Sequence, residues 1–223
     1  MDTQEVLEQY NGVFVNQGNL FVSTAEARPG VPKLLTGYVN CEVIYPFVWV
    51  VRDLTFQLIS PFLDEVEGFI CPQTGDIVLL ETAATLALES GKQTVAVWAD
   101  KVEGNNYRIE RLGFEPAIKG KKVVVLNDRI SQGGTTDKVI AEAHRLECEV
   151  LGIATLAGVS SCTPERFGVP EVNALCTIDV AAFPSDDIPE EHQGKPIVTD
   201  LGHGAEFQAS HPDYVGGFVT VLS

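Results

Sequence analysis

The sequence predicts an α/β domain built on a central, mostly parallel sheet of four or five strands flanked by helices, and three observations predict it. Two strand-helix-strand units follow one another, over 68–99 and 122–156, and parallel strands need such crossovers because a tight turn cannot return the chain to the same end of the sheet. The first strand of each unit runs into a glycine-bearing loop, at 72–76 and 127–136. Residues 123–126 form an unbroken apolar run, the pattern of a strand buried on both faces.

The elements are justified in chain order. Residues 3–10 read as a short helix, and the apolar pairs in 13–15 and 20–22 read as strands. Two prolines and a glycine make 26–32 a loop, and 37–44 reads as another strand. Pro46 suits a first helical position, with Phe47, Val50, Val51, Leu54, Leu58 and Phe62 at helical spacing behind it, a helix of about four turns. A buried strand over 68–71 ends at Pro72, a helix spans 77–89 before Gly91, and a second buried strand covers 94–99. The polar segment 100–106 separates it from 107–112, which either pairs as a hairpin or forms a mobile flap. The strand over 122–126 then leads through the loop to an amphipathic helix carrying Val139, Ile140, Ala143 and Leu146 on one face, and to the strand 150–156. A small hood is expected from about 1–45 and 181–198, making 1–198 one domain and 199–223 a C-terminal tail.

Composition narrows the function. Fifteen basic and 31 acidic residues give a net charge of −16, a field that repels nucleic acid backbones and anionic membranes. The longest apolar runs, 45–51 and 82–88, fall well short of the ~20 residues that cross a bilayer. The first residues carry no signal-peptide pattern, so a cytoplasmic location is expected. Five cysteines without C-x-x-C spacing suit reduced thiols, and no zinc site is read from them. The histidines at 203 and 211 are eight apart, which fits no standard zinc motif.

The loop from Asn127 to Thr136 carries the chemistry. Gly133 and Gly134 let the backbone approach an anion, amides at the helix start donate to it, and the hydroxyls of Ser131 and Thr135 add donors. That suits a phosphate monoester. Neither G-x-x-x-x-G-K-[ST] nor a G-x-G-x-x-G helix opening is present. The plain alternative is a tight strand-to-helix turn capped by Thr135 or Thr136.

An apolar strand, a polar and acidic pair, two residues and then hydroxyl-x-Gly-Gly-Thr resembles the phosphoribosyl pyrophosphate signature of type I phosphoribosyltransferases. The order of the short N-terminal helix, Tyr38-Val39-Asn40, Cys71-Pro72-Gln73-Thr74-Gly75, Trp98-Ala99-Asp100-Lys101, the loop and Arg166-Phe167-Gly168-Val169-Pro170 is similar to the orotate phosphoribosyltransferases over about 1–198. The resemblance implies a central parallel sheet with a hood, a two-fold homodimer burying the apolar segment 13–22, and phosphoribosyl pyrophosphate, a nucleobase and Mg2+ as partners. It implies that Asp128, beside Asn127, holds the ribose hydroxyls, and that Ser131, Gln132, Gly133, Gly134, Thr135 and Thr136 bind the 5′-phosphate. Pro72, Gln73, Thr74, Gly75 and Asp76 would contact pyrophosphate, and Lys101 would reach it from a flexible loop. No residue is implied as a resident metal ligand.

The pattern departs from the family at several positions. Asn127 stands where the family has an acid, Arg129 replaces a small aliphatic residue, and Gln132 replaces a threonine. Gly158-Val159 fall where the family's base-contacting Asp-Arg pair lies, and Arg28 and Lys33 are read as solvated charges. These departures frame an alternative, a catalytically impaired protein that binds a phosphorylated ribose in a regulatory or scaffold role.

Overall fold

The computed structural model describes residues 2–15, 17–73 and 75–222. Helix α1 (Thr3–Gln9) leads into β1 (Val13–Val15), β2 (Leu20–Arg28), β3 (Val31–Leu35) and β4 (Gly37–Val39). A 3-10 segment, Cys41–Ile44, precedes α2 (Val48–Ile59), β5 (Gly68–Pro72) and α3 (Ile77–Glu89). Next come β6 (Val95–Val102), β7 (Asn106–Arg108), α4 (Phe114–Ile118), β8 (Lys122–Ile130), α5 (Gly134–Arg145) and β9 (Glu149–Gly158). The chain ends with α6 (Pro164–Phe167), β10 (Glu171–Thr177), β11 (Ala182–Pro184), β12 (Ile197–Gly202), α7 (Gly204–Ser210) and β13 (Phe218–Val219).

The chain divides into two units, one of residues 1–10 and 41–179, the other of 11–40 and 180–223. In the first, a six-stranded sheet runs β10-β9-β8-β5-β6-β7. Its first five strands are parallel, and β7 adds an antiparallel edge by pairing Lys101 with Tyr107. The expected four or five strands thus become five parallel strands plus a hairpin, which also settles 107–112 in favour of pairing at its start. Ile70, Val97, Val123, Val125 and Ile153 of the sheet share a core with Val139, Ile140 and Ala143 of α5. Helix α3 packs on β5 and β6, and α2 on β9 and β10. The α/β class read from the sequence is the observed one, because the parallel pairs β5–β6, β8–β9 and β9–β10 are each joined by a crossover that contains a helix.

In the second unit a five-stranded sheet runs β11-β3-β2-β12-β13, with β1 and β4 as a separate antiparallel pair. The segment 26–32, expected as a loop, is a hairpin: β2 continues to Arg28, the chain turns at Pro29-Gly30, and Arg28 pairs with Val31. The described residues of the segment 199–223, set apart by sequence as a tail, lie within this unit. Strand β12 pairs with both β2 and β13, and the Asp200 carboxylate accepts from the amides of Val221 and Leu222.

Three further expectations change. The strand over 37–44 stops at Val39, because Cys41 and Ile44, three apart, are both buried on one side of a 3-10 turn. Pro46 lies outside α2, whose cap residue is Phe47, its carbonyl accepting from the amides of Val50 and Val51. The apolar residues Val13, Phe14, Leu20, Phe21 and Val22, expected at a subunit face, are buried within the chain itself. Exposed apolar residues include Val48 and Trp49 on α2, at 71% and 67%. Among the described residues no helix is long and apolar enough to cross a membrane.

Candidate active site

Strand order places the site. From β5 the chain crosses by α3 to β6 on one side, and from β8 it crosses by α5 to β9 on the other, so the winding reverses between β5 and β8. Open α/β sheets bind ligands outside the carboxyl ends of the strands at such a reversal. Both glycine-bearing loops leave from those two strands. The loop expected to meet pyrophosphate and the loop expected to meet phosphate are therefore neighbours across one strand pair.

The β8 loop is shorter than the sequence implies. β9 keeps pairing with β8 as far as Ile130 opposite Gly158, so Asn127 and Asp128 are strand residues rather than loop residues. Successive strand side chains point to opposite faces, which separates the two. Asn127 faces α5, is 5% exposed, and donates through Nδ2 to Thr136 Oγ1 at 3.0 Å. The Asn127 amide thereby anchors the start of α5 to the strand. Ser131, Gln132, Gly134 and Thr135 are exposed, whereas Gly133 and Thr136 are buried.

Helix α5 starts at Gly134 with Gly133 as its cap residue, at φ +77°, and no side chain caps it. Thr135 and Thr136 are thus not caps, and the amides of the first turn remain as donors with the positive end of the helix dipole behind them. A β-carbon at Gly133 would stand 2.7 Å from the Phe167 ring. Glycine is needed there for both the positive φ and the close ring. Arg166 closes the side of the loop, with its guanidinium on Asp137 at 2.7 and 2.9 Å, on the Gln132 carbonyl at 3.4 Å, and over Phe167.

Asp128 points to the face opposite Asn127, where it meets Asp76. The Asp128 amide donates to Asp76 Oδ1 at 2.5 Å. Cys41 Sγ donates to the Asp128 carbonyl at 3.4 Å, and the Thr155 hydroxyl lies 3.3 Å from the same oxygen. Burial, then the charge of Asp128, pushes the Asp76 carboxyl well above the usual carboxylate range. Burial raises Asp128 too, against the opposing Arg129 amide and guanidinium.

At the β5 loop, Pro72 closes the strand and is buried, Gln73 donates its amide to the Ala99 carbonyl at 2.9 Å, and Thr74 lies outside the described residues. Glu42 Oε1 occupies the space a β-carbon on Gly75 would take. Asp76 is 6% exposed, and its carboxyl accepts the Asp128 amide. Glu42, Tyr45 and Cys41 are the neighbours that sequence reasoning missed, since 37–44 was read as plain strand. The Tyr45 hydroxyl is buried with no hydrogen-bond partner among the described residues, and burial together with Asp128 and Asp76 keeps it protonated.

Lys101 is exposed on the part of β6 that runs past β5 into the hairpin with β7. Its basic neighbours are engaged elsewhere: Arg108 with Glu142 at 3.2 Å, and Arg111 with Asp100 at 2.7 and 2.8 Å while stacked over Trp98. Arg28 pairs with Asp186 within the second unit, in keeping with a surface charge. Among the described residues no group of three or more His, Cys, Asp or Glu side chains is arranged to hold a metal ion.

No family model matches the chain. The orotate phosphoribosyltransferase of Caldanaerobacter subterraneus subsp. tengcongensis is 26% identical to it over 200 residues, covering 89% of this chain and 96% of the relative. That of Thermoanaerobacter sp. (strain X514) is 25% identical over 200 residues with the same coverage, 89% and 96%. Among solved structures, orotate phosphoribosyltransferase from Aeropyrum pernix matches with a TM-score of 0.55 at 20% identity, over 80% of this chain and 94% of that one. Adenine phosphoribosyltransferase from Rhodothermus marinus matches with a TM-score of 0.50 at 19% identity, over 79% and 98%. The structures speak to fold and the sequences to kinship. In fold the chain is like the type I phosphoribosyltransferases, and over 89% of its length its sequence is similar to orotate phosphoribosyltransferases.

Proposed function

We propose that the chain is a phosphoribosyltransferase, moving ribose 5-phosphate from phosphoribosyl pyrophosphate to a nucleobase, with orotate the first candidate. The observation that carries this reading is that the uncapped amino end of α5 and Asp128 both lie at the carboxyl end of β8, beside the sheet's reversal point. In this reading the amides at 133–136, with the exposed hydroxyls of Ser131 and Thr135, take the 5′-phosphate. Asp128 accepts hydrogen bonds from the ribose hydroxyls and fixes the sugar. The C1′–O bond to pyrophosphate breaks as the C1′–N bond to the base forms, through an oxocarbenium-like state. Such chemistry is accelerated by placed charges rather than by a protein nucleophile.

Lys101, on its exposed hairpin, is the cation proposed to meet the departing pyrophosphate. Magnesium enters with the pyrophosphate, in keeping with its habit of retaining water and phosphate ligands. The sequence kinship favours orotate. Gly158-Val159 supply no cation for its carboxylate, so a cation from elsewhere must complete base recognition. A cytoplasmic setting, the absence of nucleic acid and membrane partners, and a two-fold homodimer belong to the same proposal. The exposed Val48 and Trp49 of α2 are the surface the dimer would cover. Light scattering that returned the 24.1 kDa chain mass at micromolar concentration would remove the dimer.

The deciding assay follows pyrophosphate release from phosphoribosyl pyrophosphate with Mg2+ and orotate, uracil, adenine or hypoxanthine. Release with orotate alone supports the full reading. Release with another base keeps the transferase and replaces the substrate, and silence with every base overturns the proposal.

A further inference from the structure

Glu142 carries a carboxylate on the buried side of α5, where an apolar side chain would pack. It has no exposed surface, and Val139, Ile140 and Ala143 beside it on the helix belong to the core. A carboxylate enclosed in this way loses its hydration and is tolerated when its lone pairs are met by donors. Here each oxygen takes two. Oε1 accepts the Ile109 amide at 2.8 Å and Arg145 Nη2 at 2.9 Å, and Oε2 accepts Arg108 Nη1 at 3.2 Å and Arg145 Nε at 2.9 Å. Arg145 lies on the same helix, so the bonds that reach across are those from Arg108, the last residue of β7, and from Ile109, which leaves it.

Strand β7 is the partner of the segment that carries Lys101: Asp100 lies opposite Arg108, and Lys101 opposite Tyr107. Tyr107 and Ile109 are buried in the core they share with α5, whereas Lys101 is exposed. The carboxylate therefore joins the two parts proposed to meet the two ends of one substrate. One is α5, whose first amides face the 5′-phosphate, and the other is the hairpin, whose Lys101 faces the pyrophosphate. Apolar packing is non-directional and leaves an edge strand free to slide over a helix. A buried charge that must meet one amide and one guanidinium from the hairpin accepts a single register, the best-attested use of such a group.

We propose that Glu142 is a positioning residue that docks the β6–β7 hairpin on α5 in one register, and so sets where Lys101 stands relative to the phosphate-binding amides. The role of Lys101 rests on the transferase reading, and the docking rests on the hydrogen bonds alone. Glu142 itself touches no substrate, since it lies about 12 Å along the helix from Gly134 at the amino end. The sign of its effect separates positioning from electrostatics. Removing a negative charge and releasing two arginines should strengthen the binding of any anion nearby. Loss of positioning weakens binding, and only for the anion that Lys101 meets.

The test uses the full chain with Glu142→Gln, titrated calorimetrically with inorganic pyrophosphate plus Mg2+ and, separately, with ribose 5-phosphate. Glutamine keeps an oxygen for the Ile109 amide but turns an NH2 group toward the arginines, which then have no acceptor. Glu142→Gln is expected to bind pyrophosphate about fivefold more weakly, the worth of one exposed ion pair, and to bind ribose 5-phosphate as the wild type does. In a Lys101→Ala background the same substitution is expected to cause no further loss of pyrophosphate affinity. Should Glu142→Gln not fold, Arg108→Gln takes its place in the same cycle. A direct contact of Arg108 with pyrophosphate would persist without Lys101, and a positioning effect would not. Amide exchange supplies a measure without ligand: residues 101–109 are expected to exchange faster in the variant relative to 123–126. Wild-type or tighter pyrophosphate binding by Glu142→Gln overturns the positioning, and so does an equal loss with and without Lys101. If the wild type binds neither probe, the transferase reading fails on its own. Unchanged exchange over 101–109 then overturns the docking, and faster exchange supports it.

Discussion

Asn127 and Thr136 are tied by a buried hydrogen bond, the asparagine amide donating to the threonine hydroxyl at 3.0 Å, which fastens the start of α5 to the strand it leaves. Because the amide of Asn127 is enclosed, Thr136→Val leaves it without an acceptor. The expected cost is about 1–3 kcal/mol. Thr136→Ser, which keeps the hydroxyl, is expected to recover most of it. Calorimetric melting of the two variants checks this, and a Thr136→Val protein as stable as Thr136→Ser would show that the bond carries no net stability.

Gly133 predicts a coupled pair. At φ +77° any side chain is strained, by about 1–2 kcal/mol, and the Phe167 ring stands where the new β-carbon would go. Gly133→Ala is therefore expected to destabilise by more than the strain alone. Adding Phe167→Leu should return part of the loss, with a coupling of about 0.5–3 kcal/mol. Strict additivity in the double-mutant cycle would mean that the ring yields freely and that only the backbone matters. Gly133→Val thus loses stability whether or not a phosphate binds, so affinity has to be compared in the folded fraction.

Arg166 neutralises Asp137 in the first turn of α5, next to the amides proposed to hold phosphate. The pair is half-exposed, so breaking it should cost less than about 1 kcal/mol of stability. Its effect on an anion is another matter. Arg166→Ala leaves the Asp137 charge unopposed at the positive end of the helix and is expected to weaken ribose 5-phosphate binding about two- to fivefold. Arg166→Ala with Asp137→Asn should recover affinity. Titrations at low and high salt check this, since the defect of the single variant must shrink as salt screens Asp137.

The sequence disclosed what is local and left out what strand order creates. The run 123–126 and the helix Ile77–Glu89 were legible because unbroken apolar strands and amphipathic spacing are local signals. Strands β3 and β10 were not. In β3 only Leu34 is fully buried, and β10 is an edge strand with no fully buried residue, so neither carries a periodic pattern. Asp128 was legible as a carboxylate at the end of an apolar strand. Its contact with Asp76 was not, because it arises from the adjacency of β5 and β8, which no spacing in the chain announces. Ending that strand at 126 also hid the alternation that turns Asn127 away from Asp128. The phosphate loop was thus visible as a composition, and its division into a binding face and an anchoring face only as a structure.

Glu142 gives the last prediction. Its side chain is fully enclosed beneath the β6–β7 hairpin, where it accepts the Ile109 amide at 2.8 Å, Arg108 at 3.2 Å and Arg145 at 2.9 Å. Burial by itself raises such a carboxyl, but the hydrogen bonds from Arg145 and Ile109 and the two positive charges outweigh it, and the net direction is below the usual 4.5. A carboxyl with a lowered folded pKa contributes stability that is present above its unfolded pKa and lost as pH falls through the folded one. Acid unfolding should therefore steepen below about pH 4.5 in the wild type. Glu142→Gln keeps an oxygen for the Ile109 amide but gives up the charge, so it should cost about 2–3 kcal/mol at neutral pH. As pH falls through the lowered folded value the gap between the two proteins should close, since both side chains are then neutral. Melting curves at neutral and acidic pH read both quantities. A gap that stays constant across that range would mean that the arginines draw no stability from the charge of Glu142, and that the hairpin carrying Lys101 is held by Trp98 and its own strand pairing instead.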